Sequence, residues 1–300
     1  MHSKNLCLSL TSLCLIAAAD TALAEDWQYS LKAGMANAPR YSGSDERMTA
    51  PVLGGKIISP WGVFLDTDTG LGWGYEGNAL SFSAYVGASD SRKDKNESMH
   101  AGSKRLKGMG EIKSRPQLGV STAYNLGGVI IGATLEHALE EDKHKETGKA
   151  FTHLELSLGT HLYEGRYGSV DAAINSHFGD RNYLQTWYGV TADQATRSRF
   201  KEYKASAGNI SNGMNLSWSV PINEHTQFST LLDVQYLADE AGKSPIVEQR
   251  LQASVLGELQ YLPSVGASLL AQNSQAPRLS RKHALSLRFF ASKLAPTGWH

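Results

Sequence analysis

The chain has 300 residues, with 29 Lys and Arg against 29 Asp and Glu, 29 Gly and 9% aromatic residues. So even a charge balance excludes a basic nucleic-acid-binding body. Beyond the N-terminal segment no stretch reaches the roughly 18 consecutive apolar residues of a membrane helix, which excludes a helical membrane protein.

Residues 1–24 read as a secretory signal. Lys4 precedes an apolar run from Leu6 to Ala19, and Ala22-Leu23-Ala24 is a small-x-small cleavage pattern. We expect cleavage after Ala24 and export from a bacterial cell. Both cysteines, Cys7 and Cys14, fall inside this segment. The exported body then has no disulfide, no thiol nucleophile and no cysteine-ligated metal. Cys14 lacks a small residue just before it, so lipidation is not expected.

From residue 25 to 262 the signal is alternation with period two. Leu80, Phe82, Ala84 and Val86 share one face; so do Leu118, Val120, Thr122 and Tyr124. Val129, Ile131, Ala133 and Leu135 repeat the pattern, as do Val170, Ala172, Ile174 and Phe178. Met214, Leu216, Trp218 and Val220 follow, then Phe228, Thr230, Leu232, Val234 and Tyr236. The last set is Leu251, Ala253, Val255, Gly257, Leu259 and Tyr261. In FTHLELSLGTHLYEG (151–165) the leucines take one parity while His153, Glu155, Ser157 and His161 take the other. No stretch shows a comparable helical period, so the class is all-β.

Two features favour a closed antiparallel transmembrane β-barrel over a secreted sandwich. The segments run to about ten residues, the span of a tilted membrane strand, where sandwich strands are nearer five or six. Charge also sits in mid-strand on the polar parity, at Glu155, Asp171, Asp233 and Glu258. A wet bore tolerates such residues and leaves the apolar parity to lipid. Trp27, Tyr29, Tyr124, Trp218, Tyr236 and Tyr261 stand near strand ends, where interfacial girdles form.

Tight turns at 125–128, 164–167 and 223–226 alternate with long polar segments at 37–46, 89–114, 139–150, 178–203 and 239–247. Short periplasmic turns and long external loops alternate in this way. A short up-down pair around Asp66-Thr67-Asp68-Thr69 gives twelve strands; without it the count is ten. Residues 90–115 are charged and read as a mobile external loop. Its Lys104, Arg105 and Lys107 would meet lipopolysaccharide phosphates or simply be solvated.

The chain carries no hydrolase, metalloprotease or phosphate-loop motif. His153 and His161 share a face but lie on the order of 26 Å apart at strand rise, so they cannot share a metal. His177 could meet one of them across a hairpin. Ser176, adjacent to it, points the other way, and nothing in the sequence brings Ser157 to a histidine. We expect no enzyme activity, no catalytic or metal residues and no cofactor, with the histidines as polar bore packing.

Five short motifs recur in order. They are Tyr41, Gly43, Ser44 and Asp45 in RYSGSDERMTAPV; DTDTGLGW; Gly108 and Gly110 in RLKGMGEIK; Gly189 in YLQTWYGVTADQATRSRF; and Ser244-Pro245 in YLADEAGKSPIVEQR. Together they resemble the MipA/OmpV family of outer-membrane proteins over residues 25–262. The resemblance implies an outer-membrane barrel, and a scaffold role linking a lytic transglycosylase to a murein synthase. A narrow porin-like channel or a surface adhesin is the alternative. Implied partners are outer-membrane lipid, lipopolysaccharide and murein-processing enzymes, with no nucleic acid. The family offers no catalytic residues.

Physically, Gly43 and Gly108 suit turns that other residues resist. Ser44 and Asp45 suit capping of backbone donors, and Ser244-Pro245 an extended approach to the last strand. Residues 263–300 depart from the family pattern, in which a final strand ends Tyr-x-Phe. This tail is basic and free of acid, and reads as a disordered segment of shifted-frame origin.

Overall fold

The computed structural model describes residues 27–262, apart from Ser98, Lys143 and His144. The signal segment and the basic tail lie outside the described residues.

Within them the chain forms twelve strands. These are β1 (Gln28–Pro39), β2 (Arg47–Ile58), β3 (Val63–Asp66), β4 (Gly70–Glu76), β5 (Leu80–Ala88) and β6 (Pro116–Asn125). Then come β7 (Val129–Ala138), β8 (Phe151–Gly165), β9 (Gly168–Gly179), β10 (Gly208–Pro221), β11 (Thr226–Leu237) and β12 (Leu251–Tyr261). Each pairs antiparallel with its neighbour in sequence, and β1 pairs with β12 from Leu31↔Tyr261 to Asn37↔Val255, closing the barrel. Closure leaves the sheet without a first and a last edge, as a lipid-spanning sheet requires. The up-down pair at Asp66–Thr69 is β3 and β4, so the count is twelve.

Which way the apolar parity points is settled along β8. Leu156 and Leu158 are 43% and 44% exposed, whereas His153 and Glu155 are 3% and 4%. The leucines face outward and the ionisable groups inward. Burying an aliphatic side chain in lipid is favourable, and a charge on that face is not. A bulge between His161 and Tyr163 resets the parity, so Tyr163 pairs with Val170 on the outer face.

The outer face is banded. At the turn end stand Tyr29, Trp73, Tyr75, Tyr124, Trp218 and Tyr261, all exposed. At the loop end the apolar band stops at paired residues. Met35↔Pro51 is followed by Asn37↔Thr49, Leu135↔Leu154 by His137↔Thr152, and Ile174↔Met214 by Ser176↔Asn212. The aromatic girdle therefore lies mostly at the turn end, with Tyr236 near the loops. Both ends of the described chain lie at the turn end, which is the periplasmic side of a barrel with short periplasmic turns.

Five long connections leave the opposite end: 40–46, 89–115, 139–150, 180–207 and 238–250. They carry three short helices, α1 (Arg181–Tyr188), α2 (Ala192–Arg197) and α3 (Asp239–Gly242), absent from the sequence-based expectation. Asp180 starts α1 by accepting from Tyr183 N at 2.7 Å, and Thr191 with Gln194 forms a capping box on α2. On α1 these ends add to the burial of Leu184 and Tyr188, one turn apart.

Candidate functional site

The bore is polar and occupied. Tyr85 lies along the inner wall, over Gly119 on the strand between, and donates to Glu136 Oε1 at 2.8 Å. Gly119 makes this possible, since a Cβ there would lie 2.1 Å from Tyr85 Cζ. Gln235 Nε2 donates to Asn175 Oδ1 at 2.8 Å and to Asp233 Oδ1 at 3.0 Å, passing over Gly213, which has no side chain to block it. Lys32 pairs with Asp68, and Lys56 with Asp66 at 3.5 Å. These pairs satisfy groups that would otherwise be costly in a confined space.

The histidines resolve into two sets. His177 Nδ1 lies 3.3 Å from His153 Nε2, the cross-hairpin meeting the sequence allowed. His161 Nδ1 lies 2.7 Å from Asp171 Oδ1. Ser217 is directly opposite Asp171 on β10, beyond the carboxylate and not beside the imidazole. The order is therefore His–Asp–Ser, in which the base cannot activate the hydroxyl. Among the described residues no group of three or more His, Asp or Glu is arranged to hold a metal.

Above the bore the five loops pack into a cap. One buried apolar cluster joins Tyr41, Leu106, Met109, Val190, Phe200 and Ile246; a second joins Leu184, Tyr188, Ala205, Ile210, Leu237 and Ala241. Each cluster draws on separate loops, so apolar burial welds them together. Polar ties cross the same seams. Ser42 Oγ and Tyr188 Oη lie 2.7 Å apart, Arg92 Nη1 donates to Trp187 O at 2.6 Å, and Gln194 Nε2 donates to Met109 O at 2.7 Å.

The motif residues meet in this cap. Tyr41 donates to Ile246 O at 3.0 Å. Gly43 has φ +98°, and a Cβ there would lie 2.6 Å from Val247 Cγ2. Its carbonyl accepts from Glu248 N at 2.7 Å and Gln249 N at 3.0 Å. Ser44 Oγ accepts from Glu46 N at 3.0 Å, the donor-capping role expected of it. Asp45 has a different role, accepting from Arg105 Nη1 at 2.6 Å. Gly108 has φ +91°, and a Cβ there would lie 2.1 Å from Arg197 O. Gly110 has φ +77° with open space around it. Gly189 ends α1 and donates to Leu184 O and Gln185 O, both at 3.1 Å. Ser244 Oγ donates to Tyr188 O.

Ser244-Pro245 is not an extended approach: Val247 N bonds Ser244 O at 3.0 Å, closing a turn that inserts Ile246 into the cap. Residues 90–115 are not a loose solvated loop, because Leu106, Met109 and Ile112 are buried. Arg105 is likewise not free for lipopolysaccharide; it is shared among Asp45, Glu46 and Glu248.

Electrostatics follow from this packing. Burial pulls the Arg92 guanidinium down to about 10, opposed by the nearby Tyr41 and Tyr188. Burial pushes Tyr188 up to about 12, and burial with a hydrogen bond to Glu240 does the same for Tyr203. Burial also raises Tyr41 and Tyr183 above the usual tyrosine range. On the exposed rim, hydrogen bonds from Lys93 and Lys95 draw Glu97 down to about 2.

The family model described as MltA-interacting protein MipA matches residues 31–262. The chain belongs to the MipA family. Among solved structures, this MipA-family chain is similar to an anion-selective porin from Comamonas acidovorans. That match has 12% identity, 77% coverage of this chain and 55% of that one, and a TM-score of 0.31. The chain thus spans about half the length of that porin. It is also similar to in-vitro folded OmpT of Vibrio cholerae, with 8% identity, coverage of 79% and 96%, and a TM-score of 0.34. Neisserial surface protein A matches at 8% identity, with coverage of 78% and 96% and a TM-score of 0.23. No curated protein matches the sequence. Family and fold together make this an outer-membrane β-barrel protein.

Proposed function

We infer that this barrel is a non-enzymatic scaffold of the cell envelope that binds murein-processing enzymes at its periplasmic turns. The observation that carries the reading is the cap: two buried apolar clusters tie separate loops together over the outer end of the barrel. An opening for solutes would need those clusters to separate. The periplasmic turns in turn offer apolar groups to a partner, with Trp61 76% exposed and Leu126, Tyr167 and Ile222 also exposed. Aromatic anchors of this kind are enriched where proteins dock. The family's description as interacting with MltA supports the same partner class.

A narrow channel is the second reading. It is favoured by bore atoms with no partner, Asn175 Nδ2, Ser217 Oγ and Gln235 Oε1, which suit a file of water. Two measurements separate the readings. Refolded protein in a planar bilayer should give no reproducible conductance steps, and affinity capture from envelopes should retrieve a lytic transglycosylase. Capture should weaken in a Trp61→Ser, Ile222→Ser variant. Regular conductance steps with nothing captured would replace the scaffold by the channel.

A further inference from the structure

Arg92 is a charge that the cap buries and does not neutralise. Its backbone is fixed by two bonds with Ile112, Arg92 N to Ile112 O at 2.9 Å and Ile112 N to Arg92 O at 2.8 Å. The residue is 4% exposed, with its guanidinium against the end of α1. A guanidinium has five N–H donors. Among the described residues one of these is satisfied, where Nη1 donates to Trp187 O at 2.6 Å. Nε is buried and has no partner. No described carboxylate pairs with the group. Asp94, whose charge bears on it, accepts from Gly110 N at 3.2 Å instead. Arg115, the other buried arginine of the cap, is better served. Its Nη1 donates to Lys149 O at 3.0 Å and Nη2 to Thr147 O at 2.8 Å, with Glu141 at 4.0 Å.

A second unused donor stands beside Arg92. Trp187 Nε1 is buried without a partner, and Arg92 Cζ lies 5.9 Å from the Trp187 ring centroid. Tyr41 and Tyr188, 1% and 3% exposed, are also close enough to bear on Arg92. Their hydroxyls are engaged elsewhere, Tyr41 with Ile246 O and Tyr188 with Ser42 Oγ. The surroundings of the guanidinium are thus a helix-end carbonyl, an indole N–H and two phenols, with no negative charge in contact.

Arginine keeps its charge at neutral pH, and a buried charge without a counter-charge is costly. A water molecule would occupy a donor and leave the charge in place. An anion does both, and the buried tyrosines close the space to a bulky one. We propose that a small inorganic anion, of the size of chloride, is bound by Arg92 with the Trp187 indole N–H as second donor. It cross-links the 89–115 loop to α1. The site belongs to the cap and is the same whether the barrel serves as scaffold or channel.

The test uses the full chain refolded in detergent micelles, with sodium chloride exchanged for sodium gluconate at constant ionic strength. Hydrogen exchange in 89–115 and in α1 should slow by about tenfold in chloride, as for an ion at ten times its dissociation constant, while the amides of β8 are unchanged. Arg92→Met should abolish the chloride response. Trp187→Phe keeps the ring, removes the donor and should weaken the response severalfold, which keeps the site testable if Arg92→Met loosens the cap. Crystals grown in sodium bromide should show an anomalous peak in contact with Arg92. Equal exchange in chloride and gluconate, a full chloride response in either variant, or a water in place of the bromide peak overturns the site.

Discussion

The Tyr41 hydroxyl donates to the Ile246 carbonyl at 3.0 Å, joining the first external loop to the last across 205 positions of sequence. Both residues are fully buried, so neither group has water as a substitute partner. Tyr41→Phe keeps the ring and orphans the carbonyl, at a cost of about 1–3 kcal/mol. The loss belongs to the cap and not the wall. Hydrogen exchange should quicken in 40–46 and 238–250 while the amides of β8 and β9 stay protected. Uniform quickening along the wall would show that cap and barrel melt as one unit.

Gly108 and Gly110 separate two reasons for a glycine. Both have positive φ, but a Cβ on Gly108 would collide with Arg197 O, whereas around Gly110 there is nothing within 4 Å. Gly110→Ala should cost only the conformational strain, about 1–2 kcal/mol. Gly108→Ala adds a backbone clash that no side-chain rotation relieves, and should part α2 from the 89–115 loop. Tryptic cleavage after Lys107 and Arg197 should rise by more than tenfold in Gly108→Ala and by about fivefold in Gly110→Ala. Equal sensitivity of the two variants would refute the clash.

The cap tyrosines Tyr188 and Tyr203 should titrate late. Tyr188 and Tyr203 are pushed up to about 12, against about 10 in an unfolded chain. A raised folded value means stability that is complete below pH 10 and lost as pH climbs through 12. Arg92, pulled down to about 10, acts oppositely, because its charged form is the one burial penalises. The tyrosinate absorbance that Tyr188→Phe and Tyr203→Phe remove should therefore rise only near pH 12, coinciding with cap opening and enhanced proteolysis. A single phase near 10 with the cap intact would place these hydroxyls in water.

The barrel was legible because lipid and bore impose opposite demands on alternate residues, a pattern that Leu154 to Leu158 display without context. The twelve-strand count was legible in Asp66–Thr69 for the same reason: a turn cluster between two short apolar runs. The cap was not legible. Leu106, Met109 and Ile112 sit among charges at a spacing of three that marks neither strand nor helix, because Leu106 and Met109 fill space left by three other loops. The helices α2 and α3 are too short for a stripe to emerge, and that of α1 is only Tyr183, Leu184, Trp187 and Tyr188. Individual motif glycines could be read as turn formers, but that Gly43 abuts Val247 and Gly108 abuts Arg197 is tertiary information.

The composite cap has a consequence for anything that meets the bacterium from outside. Its surface is a mosaic of stretches far apart in the gene, held in shape by Tyr41, Leu106, Val190 and Ile246 beneath. An antibody or phage receptor-binding tip would grip several of these stretches at once. A synthetic peptide copied from one of them would make a poor immunogen, and a vaccine preparation would have to present the intact refolded molecule.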